Sequence, residues 1–116
     1  MFLPAFLILF LAGILQFWLF DRILRIEYQA FRLAWEEDGR PAGFFWMPPE
    51  SSWFWGSFAR SACMSAWLYK TPAWMRKDEK VLRLLFWYRL LWVIAMLSFV
   101  GIFSPLLIAL IKDVLS

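Results

Sequence analysis

The sequence predicts an all-α membrane protein. Its expected form is a hairpin of two transmembrane helices joined by a helical, aromatic-rich region at the cytoplasmic face. Three observations lead there. The 116 residues are 63% hydrophobic and 22% aromatic but only 18% charged, with mean hydropathy +0.62. A soluble domain of this size has too little interior to hide so much apolar surface. Two long runs, Phe2 to Phe20 and Leu90 to Ile111, carry no charge at all. Finally, every lysine and arginine except Lys112 lies between those runs.

The first run covers about 30 Å as a helix, one hydrocarbon core. Pro4 falls in the first turn, where a helix tolerates it. A cleaved signal peptide is the rival reading. It requires a basic start and a small-residue cleavage motif, whereas Met-Phe-Leu precedes Pro4 and Phe20-Asp21-Arg22-Ile23 follows the run. An uncleaved anchor is therefore expected. The helix should continue past the membrane to about Asp38. Arg22, Arg25, Gln29, Arg32 and Glu36 repeat at three-four spacing as a polar stripe, opposed by Leu24, Tyr28, Phe31 and Trp35. Gly39 and Pro41 supply the stop.

Residues 39–52 then form an aromatic, proline-broken loop containing Phe44-Phe45-Trp46-Met47-Pro48-Pro49. Ser51 or Ser52 can cap an amphipathic interfacial helix over 53–70. Its polar side would hold Ser57, Arg60, Ser61 and Ser65. Trp55, Phe58, Ala59, Ala62, Ala66 and Tyr69 would form the other side. Thr71-Pro72 breaks it, and Ala73-Trp74-Met75 turns into the last helix. That helix is expected over about 78–113 and contains the second span, 90–111. Asp78 and Glu79 suit its start, Arg89 marks the inner limit of the span, and Pro105 should bend it.

Close helix approach in a membrane uses small residues. Ala12, Gly13 and Gln16 on the first span and Ala95, Ser98, Gly101 or Ile102, and Pro105 on the second are the expected packing positions. Gln16 is expected to make an interhelical hydrogen bond. The charge asymmetry places the central region in the cytoplasm and both termini outside. Trp46, Trp53, Trp55, Phe58, Trp67, Trp74 and Arg89 are the expected interface and lipid-contact residues. They form either a collar against the headgroups or a folded aromatic cap that packs on a partner subunit.

Chemistry is sparse. There is no histidine, the commonest general base and metal ligand. A lone Cys63 forms neither an internal disulfide nor a thiolate metal site. It reads as a buried, inert thiol, with acylation as the alternative. Glu36-Glu37-Asp38 reads as a solvated helix end. No phosphate loop, nucleophile elbow or metal motif occurs. The expectation is no enzyme, no catalytic residue, no metal and no cofactor. The basic residues sit among tryptophans, phenylalanines and acids, which argues against nucleic-acid binding.

Trp35, Asp38-Gly39-Arg40-Pro41, Gly43-Phe44-Phe45-Trp46, the stretch from Ser51 to Arg60, Tyr69-Lys70-Thr71-Pro72 with Trp74, and the run from Asp78 to Tyr88-Arg89 form a layout across most of the chain. This layout resembles the universal stress protein B-like family of small bacterial membrane proteins. The resemblance implies a bacterial inner-membrane protein with two spans and carries over no catalytic residues. The expected function is an accessory or stabilising subunit of a larger inner-membrane complex, of respiratory or photosynthetic type. Its expected partners are lipids and other integral subunits, with no small-molecule substrate evident. The alternatives are an autonomous, stress-related membrane-surface protein and, with little polar lining in the spans, a homo-oligomeric pore.

Overall fold

The computed structural model describes residues 2–116. Helix α1 spans Phe2–Ala30, α2 Arg32–Glu37, α3 Trp53–Tyr69 and α4 Glu79–Leu115, with a 3-10 turn at Ala73–Lys77 before α4. No strand occurs among the described residues. Helices α1 and α4 are both long and apolar enough to cross a membrane. They lie antiparallel: Gln16 meets Tyr88, while Phe31, just past the end of α1, meets Trp74, just before the start of α4. The molecule is elongated, 59 × 30 × 22 Å.

Both long helices bury a heptad-like stripe. On α1 it runs Ala12, Gln16, Leu19, Phe20, Ile23, Leu24, Glu27, and on α4 Val81, Leu85, Tyr88, Ala95, Ile102. Three-four spacing keeps one face of each helix on its neighbour. The packing positions expected from small residues are corrected in part. Ala12, Gln16 and Ala95 are buried and Ser98 half-buried, but Gly101 and Pro105 are exposed. A Cβ at Gly13 or at Gly101 would meet open space. Ile102, one residue on from Gly101, is the side chain that turns inward.

The expected continuous helix to Asp38 is interrupted. Phe31 adopts φ −131°, ψ 54°, so α1 ends at Ala30 and the short α2 begins at Arg32. Trp35 lies in the core, where its Nε1 donates to the Pro41 carbonyl at 3.1 Å. The expected polar stripe survives the break, with Arg22, Arg25, Gln29, Arg32 and Glu36 all exposed. The stop lies where Gly39 and Pro41 place it. Gly39 has φ +90°, its N–H bonds Glu36 O, and the Arg40 N–H bonds Trp35 O, a Schellman pair.

Between the long helices sits a folded cap, the loop after α2 together with α3 and the 3-10 turn. Its core joins Trp35, Trp67, Trp74 and Met75 to Phe20, Ile23, Leu24, Val81, Leu85 and Tyr88 of the hairpin. Asp78 caps α4, its carboxylate accepting from Lys80 N at 2.9 Å. At α3, Ser52 holds the N-cap position without a side-chain cap bond. Ser51 is turned away, its Oγ donating to the Arg40 carbonyl.

Candidate functional site

Two ionic residues bordering the uncharged runs tie the cap down. Asp21 directly follows Phe20. Its buried carboxylate accepts the backbone N–H of Phe44 at 2.7 Å and of Phe45 at 2.6 Å. Gly43 makes this possible, because a Cβ there would fall 2.8 Å from Asp21 Oδ1. The same loop is held by Arg60, whose Nη1 donates to the Gly43 carbonyl at 2.9 Å and whose guanidinium lies 4.3 Å over the Phe44 ring. Phe44 in turn stacks on Phe17 at 4.0 Å.

Arg89, the expected inner limit of the second span, is the second anchor, and it reaches the C-terminal end of α3. Nε donates to Trp67 O at 2.9 Å, and Nη2 to Lys70 O and Thr71 Oγ1, both at 3.0 Å. Cationic donors at a helix C-terminus satisfy orphan carbonyls and complement the helix dipole. Tyr88 adds a bond from its hydroxyl to Met64 O at 2.8 Å. From α1, Gln16 donates across to Tyr88 O at 3.4 Å, the interhelical bond expected of it.

The expected aromatic interface divides. Trp67 and Trp74 are interior and are corrected to core residues. Trp67 packs on Phe20 at 4.8 Å and on Trp74 at 6.2 Å. The reason is the register of α3, in which Cys63 and Trp67 share the face turned to the hairpin core while Gly56 packs on the loop at Ala42 and Ser51. Trp46 is half-buried against Tyr28, with Arg25 4.8 Å above its ring. Trp53, Trp55 and Phe58 are open, at 76%, 68% and 60% exposure. Phe54, Trp55 and Phe58 pack on one another as an aromatic cluster on the first two turns of α3, with Trp53 exposed ahead of it.

A polar corner lies on the inner side of the cap. Glu27, beyond the uncharged run, is wholly buried, and its carboxyl is paired with that of Asp38. Trp74 Nε1 is buried without a hydrogen-bond partner. Burial, followed by the hydrogen bond and charge of Asp38, pushes the Glu27 carboxyl up to about 10. Burial also raises the Cys63 thiol, which suits an inert thiol rather than a nucleophile. Nearer the surface, the Tyr28 hydroxyl donates to Glu50 and holds that carboxyl below its usual range.

Sequence reasoning missed the anchoring role of Asp21 and the burial of Glu27. Glu27 was findable, since it follows Phe20, Ile23 and Leu24 at helical spacing on the apolar face. Asp21 was not, because its partners are backbone groups of a distant loop. In comparisons with known proteins, no family model matches the chain, and no curated protein or solved structure does so either.

Proposed function

We propose that the chain is a non-enzymatic, two-span protein of the bacterial inner membrane that docks as an accessory subunit on a larger membrane complex. In this reading α1 and α4 cross the bilayer, the cap lies on the cytoplasmic side and both termini are periplasmic. The most apolar stretches of the two helices have mean hydropathy 2.2 and 2.5, yet only 22% and 11% of those stretches is buried within the chain. Core helices of a soluble domain would be mostly covered, whereas lipid covers these at no cost to the backbone.

The observation that carries the docking role is the patch Trp53, Phe54, Trp55 and Phe58. It lies on α3, outside both uncharged runs, and the chain folds none of it inward. Solvent-exposed aromatic clusters of this kind mark contact surfaces. The test is capture of the tagged chain from native membrane in mild detergent, followed by mass and composition. A defined larger assembly that is lost on replacing Trp55 and Phe58 by serine supports docking. A small species carrying only lipid refutes it.

A second reading has its own observation. Ser57 and Ser61 interrupt the same aromatic ridge, a mixture that suits headgroup level. It makes the chain an autonomous membrane-surface protein, in line with the stress-family resemblance, and the lipid-only outcome would favour it.

A further inference from the structure

Four arginines lie over aromatic rings among the described residues, and two of them are otherwise unused. Arg32 donates to Tyr28 O and faces Glu50, and Arg60 donates to Gly43 O. Arg22 and Arg25 have neither an ion pair nor a side-chain hydrogen bond among the described residues. The Arg22 guanidinium lies 5.0 Å over the Trp18 ring, and that of Arg25 lies 4.8 Å over the Trp46 ring. A guanidinium stacked by its face keeps the N–H groups at its edge free, and the stacking limits how that edge can turn.

Trp18, Arg22 and Arg25 recur at four-three spacing on α1 and share one face. Trp46 joins them from the loop that Asp21 ties down through Phe44 and Phe45. A cavity of about 170 Å³ lies among these four side chains, Asp21 and Phe45. Asp21 brings a negative charge, but both its oxygens are occupied by backbone N–H groups. Two open guanidiniums therefore outweigh one engaged carboxylate. Trp18 belongs to the uncharged run, and Arg22 and Arg25 are the first cations after it. The cavity thus straddles the end of that run, over about 10 Å of α1. Under the membrane placement proposed above, on which this inference rests, lipid phosphates lie at that level. A lipid also explains the apolar end of the cavity, since its glycerol and upper acyl chains can lie against Trp18. A soluble anion has nothing to place there.

We propose that Arg22 and Arg25 bind the phosphodiester of one anionic phospholipid, with Trp18 and Trp46 flanking its headgroup. Two guanidinium edges match the oxygens of a phosphate. Phosphatidylglycerol has no ammonium, so its phosphate charge is left wholly to the arginines. Phosphatidylethanolamine carries a cation that offsets its own phosphate and is held less strongly.

The test uses the full chain in mild detergent. Native mass spectrometry measures retention of phosphatidylglycerol against phosphatidylethanolamine of matched acyl chains. Expected is a preference of about tenfold for phosphatidylglycerol, shrinking as salt is added. Equal retention of the two lipids by the wild-type chain overturns the site without recourse to any variant. Arg22 and Arg25 are exposed, so Arg22→Gln combined with Arg25→Gln should keep the helical circular dichroism and abolish the preference. Arg76→Gln, at an exposed arginine outside the cavity, should leave it intact. A preference that survives the double exchange overturns the site. So does one lost equally in Arg76→Gln, which marks diffuse surface attraction. Alkaline extraction from vesicles of the two lipids separates this inference from the membrane reading. A chain that resists extraction but retains both lipids equally refutes the site alone, and a chain that is stripped from the vesicles refutes both.

Discussion

Replacing Asp21 by asparagine should detach the aromatic loop from the hairpin while leaving the hairpin standing. The two oxygens of Asp21 accept two different backbone N–H groups, from Phe44 at 2.7 Å and Phe45 at 2.6 Å. Asparagine keeps one acceptor and turns an NH2 toward the other amide. One charge-assisted bond is lost, worth about 1.5–3 kcal/mol, and one part-buried N–H is left opposite a donor, costing about 1–3 kcal/mol more. These overlap, so about 2–4 kcal/mol is expected, a large share of the stability of a small domain. Asp21→Ala removes both bonds and should cost more. The loss is local, because the α1–α4 stripe from Ala12 to Ile102 does not include the loop.

Amide exchange in detergent is the suitable assay. Phe44, Phe45 and Gly43, whose N–H bonds Trp46 O, should exchange faster in Asp21→Asn by about one and a half to three orders of magnitude, since about 1.4 kcal/mol is tenfold. The helical circular dichroism should be unchanged. Wild-type exchange at Phe44 and Phe45 in Asp21→Asn would refute the argument, as would collapse of the whole helical signal.

Trp67→Ala should destabilise by about 3–5 kcal/mol, the range for truncating a large buried aromatic, because Trp67 is only 1% exposed and touches both Phe20 and Trp74; thermal unfolding in detergent measures it. Arg89→Met should fray the last turn of α3, seen as faster exchange over residues 67–71, and Arg89→Lys should restore little, since one ammonium cannot reproduce a guanidinium fork bonded at three acceptors. The Glu27 carboxyl is raised from its ordinary 4.5 to about 10, so the native state keeps a proton that the unfolded chain releases. Its contribution is complete below about pH 4.5 and is lost as pH climbs toward 10. Stability should therefore fall across the neutral range, and Glu27→Gln should flatten that slope in unfolding measured from pH 5 to 9.

The long helices were legible because absence of charge is a pattern that a sequence displays directly. The Gly39–Pro41 stop was legible for the same kind of reason, since only a few residues suit a left-handed helix end. The break at Phe31 was not. No glycine or proline stands between Ala30 and Arg32, and around the break Trp35 is buried and Phe31 lies 5.2 Å from Trp74. Tertiary packing overrides local propensity there. The side taken by each tryptophan was illegible for a related reason. Trp55 and Trp67 are both apolar residues of one helix, and only the position of α3 against Phe20 decides which of them is covered. Sequence left Gly101 and Ile102 open as alternatives on the packing face of α4, and Ile102 is the one that turns inward while Pro105 does not, because small size marks possible approach and not the direction of the neighbour.

The register of the hairpin explains why this protein has a cap at all. Gln16 bonds Tyr88, so Arg89 stands more than a helical turn further along the hairpin than Asp21, on the side of the uncharged runs. Under the proposed membrane placement an arginine there faces a cost of about 2.5–3.5 kcal/mol toward the bilayer centre. Reaching back for water is the usual remedy. Here the remedy is protein. The C-terminal carbonyls of α3 meet the guanidinium, and they need donors as much as Arg89 needs acceptors. Each end of the cap thus answers a polar group on the hairpin, Phe44 and Phe45 for Asp21, Trp67 and Lys70 for Arg89. With those obligations met from inside the chain, the aromatic turn at Trp53 to Phe58 is left unspent, and that is what makes it available to something outside.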